Sequence, residues 1–133
     1  MLDFLHDHFK VRAFKAREII TESGGYERYF YLVLFGVQAI YLINDKGEKV
    51  IFGFSFNGSP SGAFDSFIRQ EPSNFFLEAL SPSEMIGITR QDFDLLFEKF
   101  PEFYVWRAHF MEDILLGRLS REVELSTYSA KKR

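Results

Sequence analysis

From Glu18 to Phe56 the chain is a succession of short apolar runs, each closed by a turn signal, with no helix-sized segment between them. Glu18-Ile19-Ile20-Thr21 reads as a strand closed by Ser23-Gly24-Gly25, and Tyr29 to Phe35 is aromatic and β-branched, the composition that suits a pleated, half-buried surface. Gly36 breaks that run, after which Val37, Ala39, Tyr41 and Ile43 alternate with other residues. Asn44-Asp45-Lys46-Gly47 is a turn by composition, because Asn, Asp and Gly tolerate left-handed backbone angles. Val50, Phe52, Phe54 and Phe56 then alternate again. Parallel strands need crossovers of a dozen or so residues, for which there is no room here. The pattern therefore predicts an antiparallel sandwich or barrel-like roll.

The flanks have a different character. Leu2, Phe4, Leu5 and Phe9 suggest a short amphipathic helix, and Val11 to Phe14 could enter a strand. Asn57-Gly58-Ser59-Pro60-Ser61-Gly62 reads as a polar loop, Ala63 to Ile68 as a single helical turn that stops before Pro72. Strand character returns at Asn74 to Leu80 and at Met85 to Ile88. At Thr89 the period becomes helical: Thr89-Arg90-Gln91-Asp92 approximates a capping box, and Phe93, Leu96, Phe97 and Phe100 follow at helical spacing. Pro101 interrupts and suits the first turn of a second helix, expected from Glu102 to about Ala130 and so roughly 40 Å long. Tyr104, Ala108, Met111, Leu115 and Leu119 form a narrow apolar stripe along it. Such a stripe either pairs with a partner helix, making a homodimer, or covers the sheet. The expected organisation is residues 1–100 as a roll with flanking helices and 101–133 as a long dimerisation helix and hinge.

Composition narrows the function classes. With 133 residues the chain fits one domain, and 17 Phe point to a Phe-rich core. A net charge of −3 argues against nucleic-acid binding through a basic surface, and the absence of Cys excludes disulfides, thiol catalysis and Cys-ligated zinc. His6, His8 and His109 are too scattered to suggest a metal site. Gly58-Ser59-Pro60-Ser61-Gly62 has Pro where a nucleophile elbow needs Ser. Asp65, Glu71 and Glu78 are expected to be solvated or to cap loops, and Lys131-Lys132-Arg133 to be a solvated end. No membrane span or leader is apparent, so a soluble cytoplasmic protein that is not an enzyme is expected.

The order of motifs resembles the effector domain of Crp/Fnr-type transcription regulators. The likeness is carried by Glu18-Ile19-Ile20, Gly24, Tyr31-Leu32-Val33-Leu34-Phe35-Gly36 (similar to the family's F-V-L-x-G strand and turn), Asp45-x-Gly47-Glu48, Phe52-Gly53-Phe54, Pro72-Ser73, Ala79-Leu80 and Ile86-Gly87-Ile88. It implies a mainly β fold with helices: a double-stranded β-helix, or jelly-roll-like β-roll, of the cyclic-nucleotide-binding type, followed by a long C-terminal dimerisation helix. Glu122-x-Glu124-Leu125 to Arg133 looks like the hinge that leads into a helix-turn-helix in such regulators, so DNA is expected to be a partner only through a domain not present in this chain.

The same resemblance implies a small-molecule effector in the loop around Gly62 to Asn74. Ser61, Gly62, Ala63, Ser73 and Asn74 would line it through backbone donors and hydroxyls, and Arg118 and Arg121 would close it from the dimer side. The family holds a cyclic phosphate with an Arg and the ribose with a Glu; here Pro72 falls at the Arg position and Ala63 at the Glu position. No resident cofactor is expected, and cyclic-nucleotide binding is disfavoured. Two readings stay open: an effector-sensing domain with a non-standard ligand, or a ligand-free dimerisation scaffold. A cupin-like metalloenzyme lacks its His and carboxylate ligands.

Overall fold

The structure, a computed structural model, describes residues 2–109 and 112. The chain divides into two compact units, Met1–Leu95 and Leu96–Arg133.

In the first unit the described residues form α1 (Leu2–His8), then β1 (Lys10–Phe14), β2 (Ile19–Thr21), β3 (Tyr29–Phe35), β4 (Gln38–Ile43), β5 (Lys49–Ser55) and β6 (Pro60–Ser61). A short helix α2 (Phe64–Arg69) follows, then β7 (Phe76–Ala79), β8 (Ser83–Thr89) and the start of α3 (Arg90–Lys99). Every strand pairing is antiparallel, in two four-stranded sheets ordered β1-β8-β3-β6 and β2-β7-β4-β5. This is the roll expected from the strand spacing. One strand escapes the sequence reading: Pro60–Ser61, assigned there to a loop, pairs with Tyr31 and Leu32 of β3.

The core lies between the sheets. Phe14, Tyr31, Val33 and Met85 come from one sheet and Ala79 from the other. Aromatic content is only partly spent there, because Phe35, Phe54 and Phe56 are exposed. The alternation read in β5 is therefore not a core-facing stripe. Among the described residues β5 is an edge strand paired with β4 alone, and a register shift between Ile40 and Tyr41 displaces Phe52 from the ladder. Its ring meets Phe75 edge-on at 5.1 Å instead.

A buried polar chain crosses between the sheets. Gln38 of β4 is 0% exposed. Its Nε2 donates to Ser83 Oγ on β8 at 2.8 Å, and its Oε1 accepts from Ser55 Oγ on β5 at 2.7 Å. Ser55 Oγ also shares a 2.8 Å hydrogen bond with Ser61 Oγ on β6, and Ser83 Oγ donates to Ser81 O at 2.8 Å. Among the described residues no buried side-chain polar atom lacks a partner. Gly36, at the β3–β4 corner, has φ +103°, and a Cβ there would strike Ser83 Oγ and lie 2.7 Å from Pro82 O. Only glycine lets this corner close over the Ser83 end of the chain.

In the second unit α3 ends at Lys99, residues 101–102 turn, and residues 103–109 are helical. Pro101 lies in the turn that precedes this helix, its carbonyl accepting from Tyr104 N at 3.0 Å. Tyr104 packs on Phe97 at 5.2 Å between centroids, with the Arg107 guanidinium 4.7 Å from each ring. Tyr104 and Ala108 of the expected dimer stripe are exposed. Met111, Leu115 and Leu119, the remainder of the long helix, and Arg118 and Arg121 lie outside the described residues.

Gln38→Leu keeps the volume but strips the acceptor from Ser55 and the donor from Ser83. Unsatisfied buried groups cost about 1–3 kcal/mol each, and both serines retain one other partner. Urea unfolding should show a loss of about 1–3 kcal/mol; an unchanged midpoint would show the chain to be dispensable.

Candidate functional site

The segment Ser61-Gly62-Ala63 carries the chain from β6 into α2, and Ser73-Asn74 carries it from the far end of α2 toward β7. The structure thus brings together five of the sequence-predicted ligand residues around one short helix. Gly62 has φ +142° and lies between the Tyr29 carbonyl, the Phe64 ring and the Glu27 carboxylate, each within 3.6 Å of where a Cβ would stand. Ala63, fully buried, is the N-cap of α2 and offers no side-chain cap.

The capping is done by a residue the sequence reading did not single out. Glu27, 7% exposed, lies just before β3. Its Oε1 accepts from Ala63 N at 3.1 Å and from Thr21 Oγ1 at 3.0 Å, while its own N–H donates to Ser66 Oγ at 2.8 Å. Burial pushes the carboxyl up from 4.5 to about 7, against the lowering by the Ala63 N–H, the Thr21 hydroxyl, the Tyr29 N–H and the Arg12 charge. Arg12 is engaged with Tyr31 next door, its Nη1 donating to the buried Tyr31 hydroxyl at 2.7 Å. Burial and the Glu27 charge push that phenol well above its ordinary value. A signal for Glu27 existed: an acidic residue leading directly into the most apolar strand is out of place unless something satisfies it.

The loop beyond α2 is organised around a second carboxylate. Asp65 Oδ1 accepts from Ser73 Oγ at 2.9 Å, and Asp65 Oδ2 accepts from Asn74 N at 2.9 Å. Ser73 Oγ in turn accepts from Phe75 N at 3.0 Å. The Ser73 backbone is locked by reciprocal bonds with the glycine turn, donating to Gly25 O at 2.8 Å and accepting from Gly24 N at 2.7 Å. Asp65 is thus a loop-capping residue, one of the two roles expected for it. Glu78 is neither solvated nor in this loop: it is buried on β7, where it accepts from Tyr41 Oη at 2.8 Å and meets Lys49 Nζ at 3.5 Å. Burial and then the Glu78 carboxylate push the Tyr41 hydroxyl up to about 12. Glu71 and Pro72 are exposed.

The other end of α2 is held by α3. Arg90 Nη1 donates to the carbonyls of Phe67 at 3.1 Å and Ile68 at 2.6 Å, satisfying the orphan acceptors of the last turn. Its Nε sits 3.1 Å from both oxygens of Asp94. Phe93 of α3 packs on Phe30 of β3 at 5.1 Å and on Phe67 of α2 at 5.3 Å, so α2 is seated between the sheet and α3. Among the described residues no cluster of three His, Cys, Asp or Glu could hold a metal, and no helix is long and apolar enough to cross a membrane.

The Ala63 N–H, the Ser73 hydroxyl and the Asn74 N–H are all engaged by the chain's own carboxylates, with Pro72 at the position where the resemblance implies an arginine.

Glu27 gives the fold a pH dependence of definite sign. The folded carboxyl keeps its proton up to about pH 7, whereas the unfolded one releases it near 4.5. The folded state therefore binds more protons in that window, and stability falls as pH rises through it, by about 3 kcal/mol in all. Glu27→Gln keeps an acceptor oxygen but cannot ionise. Its stability should match wild type near pH 4.5, stay flat to pH 8 and exceed wild type there. Thermal unfolding across this range checks it, and an unaltered slope in the variant would defeat the assignment.

The model of the cyclic nucleotide-binding domain family matches residues 11–100. No curated protein sequence matches the chain. Among solved structures, the catabolite activator protein of Thermus thermophilus superposes with a TM-score of 0.73 at 20% identity, over 96% of this chain and 58% of that one. A CooA mutant from Carboxydothermus hydrogenoformans gives 0.74 at 15% identity, over 92% and 77%. CLP of Xanthomonas campestris, a c-di-GMP-responsive global regulator, gives 0.71 at 18% identity, over 98% and 62%. The chain spans less than two thirds of the first and last of these, and at such identities the likeness is one of fold. With the family match extending over most of its length, from β1 to just past α3, the chain belongs to the cyclic nucleotide-binding domain family.

Proposed function

We propose that the chain is the effector-sensing and dimerisation domain of a Crp/Fnr-like transcription regulator, that it is not an enzyme, and that its ligand is not a cyclic nucleotide. The observation that carries this reading is the clamping of α2 between two parts of the fold. Glu27 and Ser66 tie its first turn to the segment before β3; Arg90 and Phe93 tie its last turn to α3. A ligand that moves the loop around Gly62 to Asn74 must move α2, and α2 cannot move without disturbing the root of α3. Sensing requires that the ligand bind one arrangement of these helices better than another. The apolar stripe of Tyr104, Ala108, Met111, Leu115 and Leu119 supplies the proposed homodimer contact, and Arg118 and Arg121 the proposed closure of the site from the dimer side. DNA would be engaged through a helix-turn-helix domain that follows such a hinge in a full-length regulator.

A second reading, a ligand-free scaffold that keeps the fold for dimerisation, is favoured by one specific observation: the Ala63, Ser73 and Asn74 donors are already engaged by carboxylates of the chain itself.

Thermal unfolding of the chain with cyclic nucleotides, other nucleotides, small acids and small neutral compounds separates these. Ligand at a hundredfold excess over its Kd stabilises by about 2.7 kcal/mol, a rise of several degrees. Stabilisation by a compound of another class, with none by cAMP or cGMP, is the expected result. A rise with micromolar cAMP would overturn the ligand assignment, and silence across the set would select the scaffold. For the dimer, sedimentation should show wild type as a dimer and Leu115→Asp as a monomer; a wild-type monomer would sink it.

A further inference from the structure

We propose that Asp65 is an internal stand-in for a ligand's oxyanion and is the residue that sets the specificity of this loop, excluding phosphate-bearing ligands. The inference rests on the sensing fold just described but concerns which ligands the loop refuses.

The geometry is that of an oxyanion site already filled. A hydroxyl and a backbone N–H converge on one carboxylate, one donor to each oxygen, both at 2.9 Å. The Ser73 donor is held in place from several sides. Ser73 is 2% exposed, its backbone is locked to Gly24 and Gly25, and its oxygen is oriented by the Phe75 N–H. Its hydroxyl has two acceptors in reach, Asp65 Oδ1 at 2.9 Å and the Phe75 carbonyl at 3.3 Å, and the contact to the carboxylate is the shorter. Asn74 is exposed, so its N–H faces a position a ligand in solution could reach if the carboxylate were not there. Asp65 itself stands in the first turn of α2, whose opening residue Ala63 already gives its N–H to Glu27. The donors of Ala63, Ser73 and Asn74 are thus given to the chain's own carboxylates.

A second anion at this place would meet the Asp65 charge and would find both donors already engaged. Charge-assisted hydrogen bonds are about twice as strong as neutral ones, so a phosphate must displace strong bonds to gain strong bonds, against repulsion. The loop is left receptive to neutral or cationic groups, which can share the remaining lone pairs of Asp65 rather than compete with it.

The test is the response of the Asn74 amide resonance to inorganic phosphate and to cAMP, in wild type and in Asp65→Ala. In wild type neither probe should move that resonance. In Asp65→Ala both donors are released, and phosphate should shift it saturably, with half-saturation at least about tenfold below any wild-type response. A saturable wild-type shift at the same concentrations, or an Asp65→Ala amide that ignores both probes while the rest of the spectrum stays folded, would overturn the proposal. If Asp65→Ala does not fold, Asp65→Asn, which keeps the volume and one acceptor but not the charge, carries the same comparison. The outcome is independent of the sensing reading. A wild-type protein stabilised by no compound removes that reading yet leaves the Asp65 comparison intact, whereas a wild-type response to phosphate removes Asp65's role and leaves sensing in place.

Discussion

The two sheets of the roll are held in register by the side-chain amide of Gln38. Apolar burial between Phe14, Tyr31, Val33, Met85 and Ala79 supplies the non-directional part of the cohesion, but it does not specify how one sheet sits over the other. Gln38 does, because it reaches β8 with its donor and β5 with its acceptor, and Ser55 passes the connection on to Ser61 of β6. Ser61 is the last residue before Gly62, through which the chain passes into α2. The placement of α2 therefore traces back to a buried polar chain that begins on the far sheet. Such chains are worth having only when complete, since a half-satisfied one is worse than an apolar core.

Around α2 the same economy of polar groups recurs with carboxylates. Glu27 is buried deeply enough for its carboxyl to be poised near neutrality, and it holds Ala63; Asp65 is more open, and it holds Ser73 and Asn74. Arg90 completes the set from α3 by taking the carbonyls at the other end of the helix. A six-residue helix is too short to be stable through its own hydrogen bonds. It persists here because the surrounding structure caps both ends and buries Phe67 between Phe30 and Phe93. Its position is therefore a readout of three neighbouring elements.

Much of this was legible in the sequence, for reasons that differ by element. β3 and β4 are visible because aromatic and β-branched residues fill them and Gly36 separates them; α3 is visible because Thr89 precedes a run of helical spacing, and the Asp92 N–H does donate to Thr89 Oγ1 at 3.2 Å. β6 was hidden because two residues, one of them proline, carry no periodic signal. The exposure of Phe54 and Phe56 was not legible, because alternation reports a period but not which side is buried. Among the site residues, Ser61, Gly62, Ala63, Ser73 and Asn74 were reached through family resemblance, whereas Glu27 was not. Its contacts with Ala63 and Ser66 span 36 and 39 residues and have no periodic signature, so that only its charge at the mouth of an apolar strand marks it.

The bulge in β5 has a consequence for solubility. Among the described residues this strand pairs on one side only, which leaves a row of backbone groups able to accept another strand. Phe54 and Phe56 stand exposed beside that row, the combination that favours edge-to-edge association. The register shift opposite Ile40 and Tyr41 breaks the straight ladder and adds twist at its middle, and Lys49 puts a charge at its start. An aromatic edge can thus remain on the surface without presenting the flat, regular template that self-assembly into sheets needs.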